Sequence, residues 1–454
     1  MSTPGRRASR ASRASRLNVT TVLAVALPLL CILALALVRV PDAPDTTAAP
    51  TRMPLTRATV VCPSGESDVS ITTAAEGVRG PVTVGRTEAQ VATGEVTTVE
   101  AGRDPVTVEG TDDTAPGLVA ARTAPGAAAT CLPPSATSWF TGVGSGAGHR
   151  SVLELTNPDA GTAIADVTVY GRNGVVDAPR LRGVSVPGGT SLRLDLASIV
   201  PRRDELSLQV VAARGRVGAT LVDRIDPVSR GRTVTDWLPG QAEPATENLL
   251  LGIPRGEVTR RSLVVANGGP DEVRATVRIV TEESVFAPRD VPDLRIPPQS
   301  TIRLDVDGAL AKALTEGATG LLVTSNEPVS TTLRTYAGGD LSHAVPDPLL
   351  DGPATVLLPE GQKQLLLGGA TAAGVVEVVA RSANGKELAT RRVEVAPDRG
   401  YSVGLPEGAV LVTATPMRAE VSGAVLTSGG GVAVVPLTQP ATSGLVPSVR
   451  PGPS

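Results

Sequence analysis

Residues 190–198 read TSLRLDLAS, and residues 300–308 repeat this pattern as STIRLDVDG. In both segments apolar residues alternate with Arg and Asp, which is the period of a β-strand with one buried face. The offset from Asp195 to Asp305 is 110 residues. A repeat of about 100 residues with six to seven strands is typical of an immunoglobulin-like β-sandwich. The sequence therefore predicts an all-β protein of tandem sandwiches.

Neighbouring segments support the same repeat. SVLELTNP (151–158) resembles SLVVANGG (262–269), and ADVTVYG (165–171) resembles RATVRIV (274–280). A shorter third copy begins at KQLLLGG (363–369). The alternative is a β-propeller, whose blades would repeat at about 40–50 residues.

Upstream of the repeats lies a further predicted β domain of short Val- and Thr-rich runs separated by Gly, Pro and Asp. Cys62 lies in its first predicted strand, and Cys131 follows its last. An even pair in an oxidising compartment predicts a disulfide. On the chain-entropy model it would stabilise the domain by about 4 kcal/mol. Two free, buried thiols are the alternative.

The predicted organisation has eight segments: a basic leader (1–21), a transmembrane signal anchor (22–38), a Pro/Thr/Ala linker (39–56), the N-terminal β domain (57–135), sandwich repeat 1 (136–245), repeat 2 (246–352), repeat 3 (353–438) and a disordered tail (439–454). One short helix is predicted at 307–317, because Leu310 and Leu314 share a helical face.

The first forty residues predict a location. Five arginines and no acid precede the uncharged run Val22–Val38. A 17-residue helix reaches about 26 Å, close to the roughly 30 Å of a hydrocarbon core. Basic flanks stay in the cytoplasm, so we expect a single-pass anchor with the bulk of the chain extracytoplasmic. The alternative is secretion after cleavage behind Ala36. Cys31 follows two leucines, so it is interpreted as an ordinary membrane-embedded cysteine.

Composition disfavours several classes of function. The net charge of −3 gives no field for nucleic acid. The chain has two histidines, neither near a Cys-x-x-Cys, so no metal or cofactor site is predicted. Aromatic residues are 2% of the chain, too few for a sugar-binding platform. The carboxylates form no glycosidase couple. We therefore expect a protein that is not an enzyme.

The most unusual stretch is WFTGVGSGAGH (139–149). Its glycine spacing fits neither a dinucleotide loop, a P-loop nor a hydrolase elbow. Trp139, Phe140 and His149 are candidates for a ligand or partner loop. The alternative is a glycine-rich edge strand or an inter-domain hinge, with Trp139 packed at the junction. The repeated Arg193/Asp195 and Arg303/Asp305 pairs are expected to be solvated ion pairs on the outer face of a strand, with a contact to a polymer or partner as the alternative.

Four segments carry a resemblance to a known family: MPLTRATVVCPSGESDV (53–69), CLPPSATSWFTGVGSGAGHRSVLELTNPDA (131–160), VTVYGRNGVVDAPR (167–180) and VPGGTSLRLDLAS (186–198). They resemble an uncharacterised actinobacterial family of secreted or membrane-anchored proteins, known only as a domain of unknown function. The resemblance implies a cell-envelope location and genes near a large membrane glycosyltransferase. It brings no catalytic residues.

Two functional hypotheses follow. The first is a non-enzymatic, membrane-tethered envelope protein that scaffolds or binds a neighbouring protein or a polysaccharide. The second is an accessory enzyme or ligand-binding subunit of cell-wall glycan assembly.

Overall fold

The structure is a computed structural model that describes residues 26–30, 32–33, 50–124, 126–203, 205–226, 232–255, 258–337 and 339–446. The basic leader, Cys31, most of the predicted anchor and linker, and the chain after residue 446 lie outside the described residues. Within the described ranges no helix combines the length and the apolar character needed to cross a bilayer.

Two short strands lie where the sequence predicted a linker and a disordered tail. They are β1 (Thr51–Pro54) and the last strand, β35 (Ser443–Val446), and they pair with each other. Sheet pairing uses backbone groups that every extended non-proline residue carries, so a Thr- or Ser-rich segment can pair without an apolar pattern.

The N-terminal β domain is itself a sandwich. Its strands are β2 (Arg57–Cys62), β3 (Val69–Thr73), β4 (Arg79–Val84), β5 (Thr87–Ala92), β6 (Thr97–Val99), β7 (Val106–Thr111), β8 (Leu118–Ala124) and β9 (Ala127–Thr130). One sheet has the order β2-β7-β4-β5 and the other β6-β3-β8-β9. A 3₁₀ turn spans Asp112–Thr114. The buried cluster holds Val108 of one sheet and Ile71 of the other, so the core lies between the sheets.

Repeat 1 has nine strands within the described residues: β10 (Thr137–Val143), β11 (His149–Thr156), β12 (Ala163–Gly171), β13 (Gly174–Val176), β14 (Val184–Val186), β15 (Ser191–Asp195), β16 (Leu206–Arg214), β17 (Gly218–Ile225) and β18 (Val234–Trp237). The sheets are β10-β16-β12-β13, with β14 beside β12, and β15-β11-β17-β18. Short helical turns span Pro179–Leu181 and Leu196–Ile199.

Repeat 2 contains β19 (Ala245–Leu251), β20 (Val258–Asn267), β21 (Val273–Thr281), β22 (Val285–Phe286), β23 (Leu294–Ile296), β24 (Ser300–Asp305), β25 (Ala318–Ala337) and β26 (Asp340–Ala344). The first half of β25 pairs with β19 and β21, and its second half pairs with β20 and β26. One continuous strand therefore serves both sheets. The predicted helix is confirmed at Asp307–Thr315, with Leu310 buried.

Repeat 3 contains β27 (Ala354–Leu357), β28 (Gln362–Gly368), β29 (Gly374–Arg381), β30 (Glu387–Val395), β31 (Tyr401–Leu405), β32 (Leu411–Met417), β33 (Ser422–Ser428) and β34 (Ala433–Pro436). Its sheets are β27-β32-β29-β30 and β31-β28-β33-β34. The strands of the four sandwiches fall within the predicted domain ranges, except that β19 begins one residue early, at Ala245.

All four domains share one strand order. In the first sandwich and repeat 3, the first strand pairs with the sixth, and the second lies between the fifth and the seventh. Repeat 1 has the same order once the additional strand β14 is left out of the count, so that β16 and β17 are its sixth and seventh strands. In repeat 2 the additional strand is β23, and the two halves of β25 take the places of the sixth and seventh strands. The paired sheets fit immunoglobulin-like sandwiches, and within the described part of the chain no sheet closes into a barrel. The sequence repeat showed three related copies, whereas the structure shows four. The N-terminal copy keeps the alternation of apolar residues but not the residues that reveal the repeat.

Neighbouring sandwiches are packed together through polar and apolar contacts. Trp237 of repeat 1 donates its indole N–H to the Ser64 carbonyl of the first sandwich, at 2.8 Å. The first sandwich also contacts repeat 3, where Val119 and Leu357 share a buried cluster. Repeat 2 contacts repeat 3 through Val434. Residues 54–444 consequently form one compact unit.

Candidate functional site

The four sandwiches share a feature at the end of the core. In each, one residue of the second strand faces one of the seventh; we call these the core-end pairs. They are Val69/Arg122, Ser151/Asp223, Arg261/Thr335 and Lys363/Thr427. Each pair contains one charged group that is at most 4% exposed. A buried charge is costly unless it is paired or hydrogen-bonded, so each sandwich must compensate one.

The first sandwich and repeat 3 use a cation and backbone carbonyls. The Arg122 guanidinium donates to the carbonyls of Pro63, Gly65, Ser67, Ala101, Gly102 and Asp104. The Lys363 ammonium donates to the carbonyls of Pro359, Gly361 and Glu407, at 2.7–2.9 Å. Burial lowers the pKa of both cations. In each domain the cation ties together the loops after the first and fifth strands.

Repeat 1 is the exception because its buried charge is an anion. Asp223 Oδ1 lies 2.9 Å from His149 Nε2, and Asp223 Oδ2 lies 3.1 Å from His343 Nε2. Ser151 Oγ donates to Asp223 Oδ1 at 2.5 Å. The other ring nitrogen of His343, Nδ1, lies 2.9 Å from Asp236 Oδ2. We call His149, Asp223, Asp236 and His343 the His–Asp cluster.

The electrostatics of the cluster favour a protonated His343. Burial by itself would lower the pKa of His343, but its hydrogen bonds to Asp223 and Asp236 outweigh this and raise the pKa to about 9. An imidazolium donates from both ring nitrogens, which suits a ring between two carboxylates. Burial would raise the pKa of Asp223, yet His149 and His343 hold it well below its ordinary value. Burial raises the pKa of Asp236, partly offset by His343.

The cluster spans the seam between two sandwiches. Asp223 lies in β17 and Asp236 in β18 of repeat 1, whereas His343 lies in β26 of repeat 2. Beside it, Arg334 of β25 donates to the Gly142 carbonyl of repeat 1 at 2.8 Å. Charges of the two repeats are therefore paired across the seam.

The glycine-rich stretch makes room for this arrangement. A Cβ on Gly144 would lie 2.4 Å from the His149 ring, so only glycine permits the ring's position. Gly142 has a φ of +88°, which also favours glycine. Ser145 donates its hydroxyl to the Val200 carbonyl and joins two loops. The glycines thus have a local steric cause.

The structure places the predicted loop residues on strands. Trp139 and Phe140 lie in β10 and His149 begins β11, and all three are at most 8% exposed. Trp139 stacks on Tyr170 at 5.2 Å between ring centroids. A Cβ on Gly268 of repeat 2 would lie 2.5 Å from the Trp139 ring, so this ring packs at the junction of repeats 1 and 2. The loop that we predicted around these residues is therefore not a solvent-facing one.

The repeated Arg/Asp pairs also differ from the prediction. Arg193 Nε lies 3.3 Å from Glu154 Oε1, and Asp195 Oδ2 accepts from Arg150 at 2.5 Å. The residues that pair are on adjacent strands, because Glu154 lies directly opposite Arg193 in the sheet. The apolar face was predicted correctly, since Leu192 and Leu194 pack against the core.

Sequence reasoning missed Asp223, Asp236, His343 and Arg334. One signal was available: both histidines of the chain lie in strands with an apolar face, His149 in β11 and His343 in β26. Their convergence depends on pairing between residues more than 100 positions apart, such as His343 and Asp236.

The geometry of the cluster suits charge pairing better than nucleophilic catalysis. Ser151 donates to Asp223 rather than to a histidine, so the order of a Ser–His–Asp relay is not present here. Among the described residues no group of three or more His, Cys, Asp or Glu is arranged to hold a metal ion. Cys62 and Cys131 form the predicted disulfide, which joins β2 to the segment after β9.

Two comparisons bear on identity. No curated protein matches the chain. A family of unknown function, DUF5719, matches residues 102–406, from the end of the first sandwich into repeat 3. This match covers more than half of the chain, so the protein belongs to the DUF5719 family.

Proposed function

We propose that this protein is a non-enzymatic scaffold or binding module of the cell envelope, tethered to the membrane and held outside the cytoplasm. The observation that carries the proposal is the use of both histidines in the His–Asp cluster, where His343 joins repeat 2 to repeat 1. Groups that would otherwise be candidates for acid–base chemistry here hold two domains at a fixed distance. A fixed spacing of surfaces is what a scaffold requires.

The proposed location rests on two features of the sequence and one of the structure. The basic leader and the run Val22–Val38 have the form of a signal anchor. The disulfide Cys62–Cys131 fits an oxidising compartment. The resemblance to actinobacterial envelope proteins agrees with both. Secretion after cleavage behind Ala36 is the alternative.

Protease treatment of intact cells tests the location. A tag placed before Met1 should survive, while the sandwiches from residue 57 onward should be digested. N-terminal sequencing should find the leader intact; a start at Leu37 would establish cleavage, and protection of the sandwiches would contradict the extracytoplasmic location.

In-cell crosslinking tests the scaffold role. We expect the full chain to yield a complex of fixed stoichiometry with an envelope component. In His343→Gln the amount of this complex should fall in proportion to the decrease in folded protein. Asp271→Asn, which changes an exposed carboxylate, is the control. Turnover of envelope glycan by the purified chain, abolished in a variant that remains folded, would contradict a non-enzymatic role.

One observation favours the ligand-binding form of the second hypothesis, a subunit of glycan assembly. An arginine-lined cleft opens at the seam of repeats 1 and 2.

A further inference from the structure

The cleft has a volume of about 870 Å³ and three walls. Residues 171–177, from the end of β12 through β13, form the first wall. Residues 202–203 and 205–206, before and into β16, form the second, and residues 301–303 of β24 form the third. Ligand sites commonly occupy domain interfaces and measure roughly 300–1,000 Å³. The size therefore suits a small molecule or a short polymer segment.

The charged side chains of the walls are mostly cationic. Arg172, Arg202, Arg203 and Arg303 line the cleft together with Asp177 and Glu205. Both carboxylates already have partners. Glu205 Oε1 accepts from Arg303 at 2.8 Å and from the buried Arg334 at 2.9 Å, and Asp177 accepts from Arg182 at 2.6 Å.

The other three arginines of the cleft walls have no carboxylate partner among the described residues. Within the described part of the chain, no carboxylate lies in ion-pair contact with Arg172, Arg202 or Arg203. Asp204, the next residue in sequence, lies outside the described residues. The described walls therefore present an excess of positive charge that nothing in them neutralises.

The backbone that carries two of these arginines is fixed. Arg202 N–H donates to the Ser145 carbonyl at 3.0 Å, and Ser145 N–H donates to the Arg203 carbonyl at 2.8 Å. Arg202 has a φ of +62°, a conformation that is unfavourable for an arginine. A side chain held in an unfavourable backbone conformation, within a pre-formed wall, is a feature of ligand sites.

The opposing walls are also held in place. Glu205 of repeat 1 bonds Arg303 and Arg334 of repeat 2, and the Thr301 hydroxyl donates to the Tyr170 carbonyl at 3.1 Å. The cleft is thus built from two domains whose spacing is set by buried contacts, and it needs no closure to form.

We propose that this cleft binds a phosphate-bearing ligand through Arg172, Arg202 and Arg203. The guanidinium group offers paired N–H donors that match phosphate oxygens, and it stays charged at every physiological pH. The proposal rests on the binding-module function and names its ligand class. A phosphorylated polymer and a small sugar phosphate present the same chemistry, so the test must separate them.

The test is calorimetric titration of the full chain in nanodiscs of phosphatidylcholine, with inorganic pyrophosphate as the probe. We expect saturable binding that weakens at least tenfold in Arg202→Gln/Arg203→Gln. The control is Arg391→Gln/Arg392→Gln, which removes the same charge from exposed positions of β30. Unchanged thermal unfolding shows that each variant is folded. Absence of pyrophosphate binding, or equal weakening in both double variants, would overturn the proposal.

Two further probes distinguish the ligand's source. Glucose 1-phosphate binding more tightly than inorganic phosphate would indicate a sugar phosphate, and long-chain polyphosphate binding more tightly per phosphate than pyrophosphate would indicate a polymer. Either outcome supports the phosphate site. The crosslinking experiment tests the scaffold role independently. If the wild type does not bind pyrophosphate, the phosphate proposal fails. If the crosslinked complex then still forms, including in Arg202→Gln/Arg203→Gln, the scaffold role is unaffected.

Discussion

The first sandwich and repeat 1 place opposite charges at the same position of the same fold. Arg122 and Asp223 occupy the seventh-strand side of their core-end pairs, and both are 0% exposed. Arg122 is compensated by carbonyls of its own domain. Asp223 is compensated in part by His343, which belongs to the next domain.

This difference shows how reversing the sign of one buried charge couples two domains. Backbone carbonyls can surround a cation, but they offer nothing to a carboxylate, which needs N–H or O–H donors. Repeat 1 supplies His149 and Ser151, and repeat 2 supplies His343. The hydrogen bonds of Arg122 therefore stay within the first sandwich, although the Glu154 carboxylate of repeat 1 also acts on its charge. Asp223, by contrast, depends on a hydrogen bond from the neighbouring repeat 2.

The largest effect is expected from removing the anion. Asp223→Asn leaves the buried His343 with one carboxylate, and breaking a buried pair typically costs about 3–5 kcal/mol. We expect the free energy of unfolding of repeats 1 and 2 to fall by about 4 kcal/mol. Urea unfolding followed by tryptophan fluorescence measures it. The exposed Asp271→Asn should change stability little; an equally small change in Asp223→Asn would break the comparison.

The next effect is a pH dependence. The folded-state pKa of His343 is raised to about 9, above an unfolded value of about 6.5. The stabilisation of the folded state by protonated His343 is therefore complete below pH ~6.5 and is lost as pH rises through ~9. The total loss in the free energy of unfolding is on the order of 3 kcal/mol. The carboxylates that act on His343 are Asp223 and Asp236. A more distant carboxylate, Asp340, acts on Asp236.

Urea unfolding at pH 6, 7.5 and 9 measures the slope of the unfolding free energy against pH. In His343→Gln the slope over the same window should flatten. A slope that is unchanged in this variant would show that another group is responsible.

A smaller and more local effect is expected in the first sandwich. Arg122→Met removes the donors for six carbonyls, but several lie in surface loops and can turn toward water. We expect a loss of about 2 kcal/mol. Hydrogen exchange should rise in loops 63–67 and 101–104 and around Trp237, which bonds the first of them. Increased exchange in β26 would contradict the view that this compensation is local.

The smallest effect sharpens the contrast between buried and exposed pairs. The side chains of Arg150 and Asp195 are 53% and 33% exposed. Exposed pairs contribute about 0.2–1 kcal/mol, so Arg150→Ala should cost about 0.5 kcal/mol and weaken further in salt. A loss above that of Arg122→Met would mean that exposure does not govern these energies.

Local periodicity explains what the sequence could predict. The alternation in TSLRLDLAS and its copy predicted the sandwiches, and Leu310 and Leu314 predicted the helix. Both patterns are contained within one element. The fourth copy escaped detection because the first sandwich keeps the alternation of apolar residues but has no segment that resembles TSLRLDLAS or SVLELTNP.

The site could not be predicted because its partners are distant in sequence. His149 was singled out by rarity, but nothing local connects it to Asp223, 74 residues away, or Asp223 to His343, 120 residues away. The glycines of 142–148 were interpreted as part of a ligand or partner loop, or of an edge strand or hinge, but Gly144 has a steric cause because it lies against the ring of His149.

The most direct test of the central claim is hydrogen exchange of β26 in Asp223→Asn, measured beside Arg122→Met. If Asp223 couples repeat 1 to repeat 2, exchange in residues 340–344 rises in Asp223→Asn together with exchange in β17, and stays at the wild-type level in Arg122→Met. Unchanged protection of β26 in Asp223→Asn would contradict the claim that this buried anion joins the two domains.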